Sequence, residues 1–202
     1  MVDFVSVFVF FFAVIDPIGT VPVFIAVTDG YDAQSKKKIA FRATAISALV
    51  LLFFVIAGEV VLTLIGIPLS AFQIAGGIVL FLFALSMIFK ESKPEEELKL
   101  THDVSEKAIF PLAVPSIASP GAMLAAVLLT DNHRFSLLQQ VATTGIMFLV
   151  LLIVLLVLLA STWIHRFIGT SGASIISRIM GLLLSSVAVS SVLTGIKTYF
   201  GL

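Results

Sequence analysis

Apolar residues run along this chain in long unbroken stretches, each closed by a short polar or helix-breaking cluster. The pattern draws six spans, roughly 4–28, 39–66, 70–89, 108–130, 136–164 and 173–197. Stretches of about 18 or more apolar residues have the length needed to cross some 30 Å of hydrocarbon as helix. A transmembrane barrel is excluded, because its strands alternate apolar and polar positions over about 10 residues. The expected fold class is an all-α polytopic membrane protein.

The connections are the polar part of the pattern. The first, Asp29 to Lys38, carries Gly30 and Lys36-Lys37-Lys38, and Arg42 follows just inside the next span. The second is an uncharged turn at Gly66-Ile67-Pro68. The third, Lys90 to Lys107, is the longest and most charged, the fourth is Asp131-Asn132-His133-Arg134, and the fifth is expected from His165 to Gly172. Counting Lys and Arg near span ends orients the chain. With loops one, three and five on the cytoplasmic side, ten of the 12 basic residues lie there and only Arg134 and Lys197 lie opposite. Both termini then face outward from a multi-pass protein of the cytoplasmic (inner) membrane.

Composition removes alternatives. Hydrophobic residues make up 59% and charged residues 12%, against a usual quarter charged, so a water-facing surface could not be built. The absence of Cys removes disulfides, thiol catalysis and Cys-based metal sites. The first span has no basic residue before it and no small-residue cleavage site, so it is read as a membrane span. No His-Glu-x-x-His, no phosphate-binding Gly loop with Lys and no Gly-x-Ser-x-Gly occurs, so neither an enzyme nor a cofactor or nucleic-acid partner is expected.

Two spans are interrupted. The first contains Asp16-Pro17-Ile18-Gly19-Thr20-Val21-Pro22, and the fourth contains Pro111 to Gly121 with Pro115, Ser119 and Pro120. Gly19 falls on Gly121 and Thr28-Asp29 on Thr130-Asp131 at an offset of 102, while Ser70 falls on Ser174 and Gly77 on Gly181 at 104. Three spans repeated twice follow: 1–89, a cytoplasmic linker over 90–107, and 108–202. An odd number of spans per unit inverts the second copy relative to the first. Gly/Pro-interrupted helices at matching positions of inverted halves are a pointer to a transporter site near the bilayer midplane.

The depth agrees. Asp16 lies about 12 residues from the outer end of its span, or about 18 Å at 1.5 Å per residue. Backbone unwound there is tolerated only against protein or a water-filled cavity. Asp16 and Ser119 are good N-caps and precede Pro17 and Pro120, so two half-helices are expected to start at the midplane. Amides near Ile18, Gly19 and Thr20, and at Gly121 and Ala122, would converge with the positive dipole ends. Carbonyls near Ile15 and Ala118 would offer the opposite polarity, which suits a zwitterion. Asp16 has two readings, a cap used up by those amides and a proton or cation site coupled to transport. Glu59 in the second span is read first as a structural partner of Gln73 and second as an ion-coupling group. The three His are read as non-ligands, and Gly76, Gly77 and Gly181 as positions of close helix packing.

Four blocks then carry a family resemblance: Asp16 to Phe24, Ala71 to Ile78, Phe110 to Pro115 continuing through Pro120-Gly121-Ala122, and Arg178 to Leu182. In this order, and over essentially the whole chain, they resemble the MarC family, also called the small neutral amino acid transporter or SnatA family. The resemblance implies six spans in inverted repeats, discontinuous first and fourth helices, and transport of amino acids such as glycine and alanine. It puts the substrate-facing positions on Asp16, Pro17, Ile18, Gly19 and Thr20, and on Ser116, Ala118, Ser119, Pro120 and Gly121. Thr20 departs from a common Asn and Ser119 from a common Gly, and both changes bear on ligand size and polarity. The expected partners are a neutral amino acid and membrane lipid, and a homo-oligomer is compatible with so compact a bundle. An exporter of another small solute, and a channel or non-transporting subunit, stay open beside the leading reading.

Overall fold

In the computed structural model, residues 3–89 and 111–201 are described. Seven α-helices and one π-helical segment occupy them: α1 (Phe4–Ile15), α2 (Thr20–Val27), α3 (Ala33–Leu64), α4 (Leu69–Phe89), the π segment (Leu112–Ile117), α5 (Pro120–Leu128), α6 (Leu137–Leu159) and α7 (Ser161–Phe200). The expected linker over 90–107, and the start of the fourth span at 108–110, lie outside the described residues.

Each helix end has a local cause. Asp3 caps α1 by accepting the Val5 amide, and Ser6 Oγ donates to its other oxygen. Those bonds, the hydroxyl first, favour the ionised form and hold its carboxyl below the usual carboxylate range. Asp32 caps α3 through the amides of Gln34 and Ser35 at 3.0 and 3.3 Å. At the far end of α3 the Ile67 amide donates to Leu62 O and the Gly66 amide to Thr63 O. With Gly66 left-handed at φ 70°, this is a Schellman ending, and Pro68 prevents the helix from resuming. Ser136 and Gln139 form a capping box at the start of α6.

Five stretches are long and apolar enough to cross a membrane: Phe4–Val27, Ala33–Leu64, Leu69–Phe89, Leu137–Leu159 and Arg178–Phe200. Leu49, Ile56, Leu82, Leu138 and Leu193 stand exposed on them, a surface suited to lipid and not to water. One connection is not as expected. The residues from His165 to Gly172 are helical, because α7 starts at Ser161, one residue beyond Ala160, which ends α6. Gly169 and Gly172 each cost only about 1 kcal/mol against Ala in a helix, too little to break one whose other residues favour it. The 32-residue α3 likewise begins at Ala33, well before the expected 39, since its basic first turns project beyond the apolar stretch.

Packing follows the small residues. α4 and α7 run antiparallel along one long interface: a Cβ on Gly77 would lie 3.1 Å from Ala188 O, one on Gly181 2.9 Å from Ala84 O, and one on Gly195 3.0 Å from Ser70 O. Backbones this close leave no space for a side chain, the usual means of helix association in membranes. Around that pair, α1 packs on α6, the π segment on α3, α5 on α3 and α4, and α2 on α6 and α7, while α3 and α6 pack on each other. The core is formed where the broken elements meet, with Phe11, Val14, Ile15, Leu112, Ile117 and Ala118 fully buried.

Candidate functional site

Asp16 closes α1 and opens the first break. Its backbone is left-handed, φ 49° and ψ 70°, a conformation Asp tolerates better than most side chains because it bonds locally. Its amide donates to Phe12 O at 3.0 Å, and its carbonyl accepts the Thr20 amide at 3.1 Å and Thr20 Oγ1 at 2.9 Å. The carboxylate folds back so that Oδ1 accepts the Gly19 amide at 2.9 Å. Gly is required there, since a Cβ at position 19 would lie 1.9 Å from Asp16 Oδ2. Asp16, Pro17 and Thr20 are buried, and Ile18 and Gly19 half-buried.

The second break is built from different parts. The π segment contains Pro115, and Val114 before it is extended at φ −138° and ψ 120°, as a residue preceding Pro prefers. The Ala118 amide donates back to Ala113 O at 2.8 Å. Ser119 then caps α5, its Oγ accepting the Ala122 amide at 3.0 Å, with Pro120 in the first helical position. The same hydroxyl donates to Val14 O at 2.6 Å, across 105 residues of sequence. Ser119 and Ala118 are fully buried, Gly121 is buried, and Ser116 and Pro120 are half-buried. Ser47 of α3 ties the segment down from its other side, its Oγ lying 3.1 Å from Ala113 O and 2.9 Å from Ala43 O.

The predicted residues of both breaks are thus brought together by one buried hydrogen bond, but their polar groups are less free than the sequence suggested. α2 begins at Thr20 and not at Pro17, because residues 17–19 form a turn held by Asp16. The amides of Gly19, Thr20 and Ala122 have partners inside the chain. Of the expected donors, those of Ile18 and Gly121 make no hydrogen bond to a described residue. Asp16 and Ser119 each accept the amide three residues on, Gly19 in one case and Ala122 in the other. Thr28 and Thr130 each donate to the carbonyl four residues back at 2.6 Å. Gly121 serves packing, for a Cβ there would lie 2.5 Å from the Leu80 side chain.

Glu59 has other partners than Gln73. Its Oε2 accepts the Asn132 amide at 2.9 Å and Asn132 Nδ2 at 2.8 Å, and its Oε1 lies 3.4 Å from His133 Nε2. Glu59 reaches sideways from α3 to the loop before α6 because that loop presents the nearest donors. Sequence reasoning missed this clasp, and it missed Ser47, whose partner is fixed only by the fold. It also missed the run of hydroxyls on α7 at Ser186, Ser190, Ser191 and Thr194, which was legible as polar positions on one helical face.

An apolar exterior over five long helices, closing on two buried and capped helix breaks, defines a helical integral membrane protein. The family model described as MarC family integral membrane protein matches residues 1–200, and the chain belongs to that family. It is similar to a "UPF0056 membrane protein" of Buchnera aphidicola, 30% identical over 200 residues covering 99% of each chain. A "UPF0056 membrane protein" of Archaeoglobus fulgidus is 33% identical over 196 residues, 96% of this chain and 92% of that one. The Bacillus subtilis "UPF0056 membrane protein YvbG" is 33% identical over 201 residues, 97% of this chain and 95% of that one. No solved structure matches.

Proposed function

We propose that this protein is a secondary transporter of small neutral amino acids of the glycine and alanine class, working by alternating access around the two breaks. The observation that carries the reading is the bond from Ser119 Oγ to Val14 O, which joins the two interrupted helices at their interruptions. Six spans form two inverted repeats, 1–89 and 108–202, joined by a cytoplasmic linker. Support comes from packing that survives exchange of the halves: α1 against α6 answers the π segment against α3, and α4 against α5 answers α7 against α2. Inverted halves of this kind rock about a site at their interface.

In this reading the amides of half-buried Ile18 and buried Gly121 face the substrate carboxylate, and Asp16 is the coupling group for a proton or cation. Glu59, held by Asn132 and His133, fastens the outer end of α3. The protein sits in the cytoplasmic membrane with both termini outside. It has no enzymatic activity and no cofactor, and its partners are the amino acid, lipid and further copies of itself.

The test uses purified protein in liposomes with labelled glycine or alanine, with and without a proton or sodium gradient. Saturable, gradient-dependent uptake is expected, and absence of movement for both amino acids refutes the substrate. A second reading, in which the breaks serve packing alone, draws on their largely satisfied hydrogen bonds, and unsaturable flux or none would favour it. Cys introduced at Lys36 and Arg134 should label from opposite sides. Labelling from the same side would overturn the orientation.

A further inference from the structure

Away from the breaks, a cavity of about 530 Å³ opens between α1, α4, α7 and the loop after α5. Its volume lies in the range of small-molecule sites, about 300–1,000 Å³. Phe10 and Phe135 contribute apolar walls, Gln73, Ser191 and Thr194 line it with polar groups, and Arg134 stands at its edge. By the helix order, this end carries both termini and the Gly66–Pro68 turn. Gln73 and Ser191 are each only 8% exposed, yet neither side chain makes a hydrogen bond to any described residue. Their polar atoms are open to the cavity and not sealed in the protein, so a polar occupant of this space can bond both.

The geometry points to a second site, an outward-facing vestibule in which Gln73, Ser191 and Arg134 hold a small zwitterion before it reaches the breaks. It rests on the transport reading given above. Arg134 meets Asp131 through Nε at 3.4 Å and is half-exposed, so its guanidinium can bring a carboxylate to the rim. Gln73 offers two donors and an acceptor, and Ser191 one donor and two acceptors, which serve a carboxylate and an ammonium equally. Among the described residues no acidic side chain lines the cavity, which fits a net-neutral solute better than a cation. Phe10, Leu128, Leu129, Phe135 and Val187 give the rest of the lining an apolar character, which suits the methyl group of alanine. An acyl chain would leave Gln73 and Ser191 unsatisfied.

The chain has no native Cys, so Ser191→Cys creates a single target. In proteoliposomes it is treated with a membrane-impermeant methanethiosulfonate from the side bearing the termini, with and without saturating alanine. Labelling from that side, slowed about tenfold by alanine, is expected. In the Gln73→Leu protein, loss of one hydrogen bond should raise the alanine KM by about tenfold while kcat changes less, and Gln73→Asn should recover part of it. Thr194→Cys, at the exposed rim, gives the same readout if Ser191→Cys does not fold. Transport of alanine with labelling that alanine does not slow would overturn the vestibule and leave the transporter reading intact. Protection by alanine in a protein that moves none would do the reverse. Labelling slowed by added lipid and not by alanine would mark a lipid-filled groove and overturn the site.

Discussion

At the first break a carboxylate folds back onto its own chain, whereas at the second a hydroxyl reaches across to the other interrupted helix. Asp16 and Ser119 each accept the amide three residues on, Asp16 inside the turn that precedes α2 and Ser119 as the N-cap of α5. Ser119 then spends its only proton on Val14 O and has no donor left to offer. Asp16 is buried with one backbone donor on its carboxylate and, among the described residues, no cationic side chain bonded to it. A single neutral donor compensates only part of a buried charge. The difference leaves the less compensated polar group at the first break.

The largest effect on that contrast should come from Gly19→Ala. The new Cβ occupies the position of the Asp16 carboxylate, which must leave its amide while staying buried, at a cost of about 2–4 kcal/mol. Thermal unfolding in detergent measures it, and Asp16→Ala in the same chain should restore much of the loss. An Asp16→Ala that restores nothing would mean the clash lies elsewhere. Ser119→Ala comes next. It removes a cap and the bond between the breaks, and because membrane hydrogen bonds average well under 2 kcal/mol each, a total of about 1–3 kcal/mol is expected. A loss no larger than that of Ser47→Ala would deny the bond its joining role.

Asp16→Asn is smaller still in stability, within about 1 kcal/mol, since the amide oxygen can still accept from Gly19. Its effect belongs in function: transport should lose its dependence on the proton or cation gradient. Retained transport with unchanged pH and ion dependence would reduce Asp16 to a cap. The mildest case is the water-facing cap Asp32, whose carboxyl is held below its ordinary 3.8 by the Ser35 hydroxyl first and then by backbone amides. A lowered folded-state value stabilises above the ordinary range and is lost as pH falls. The difference between wild type and Asp32→Ala should therefore be present at neutral pH and vanish in acid.

Much of this comparison was legible along the chain. The long apolar stretches identified a helical membrane protein, and Pro and Gly inside two of them marked the interruptions, because breakers at such depth need a reason. The tight turn at Gly66 was equally plain. What escaped depended on contacts distant in sequence. Nothing in the order of residues ties Ser119 to Val14, Ser47 to Ala113 or Glu59 to Asn132. The expected loop at His165 to Gly172 failed because polar and glycine residues punctuate a sequence without being sufficient to end a helix. Asp16 was expected to cap α2, but its left-handed backbone closes α1 instead. So α2 starts about a turn later, after Gly19, and amides intended for a ligand are consumed in the turn between.

Alternating access can be separated from a fixed pore by counterflow. Liposomes holding the protein are loaded with unlabelled alanine and diluted into a trace of labelled alanine. A carrier whose site faces one side at a time exchanges the two, so internal label should rise transiently above its equilibrium level and then decay. A monotonic approach to equilibrium, unaffected by the internal load, would contradict the account.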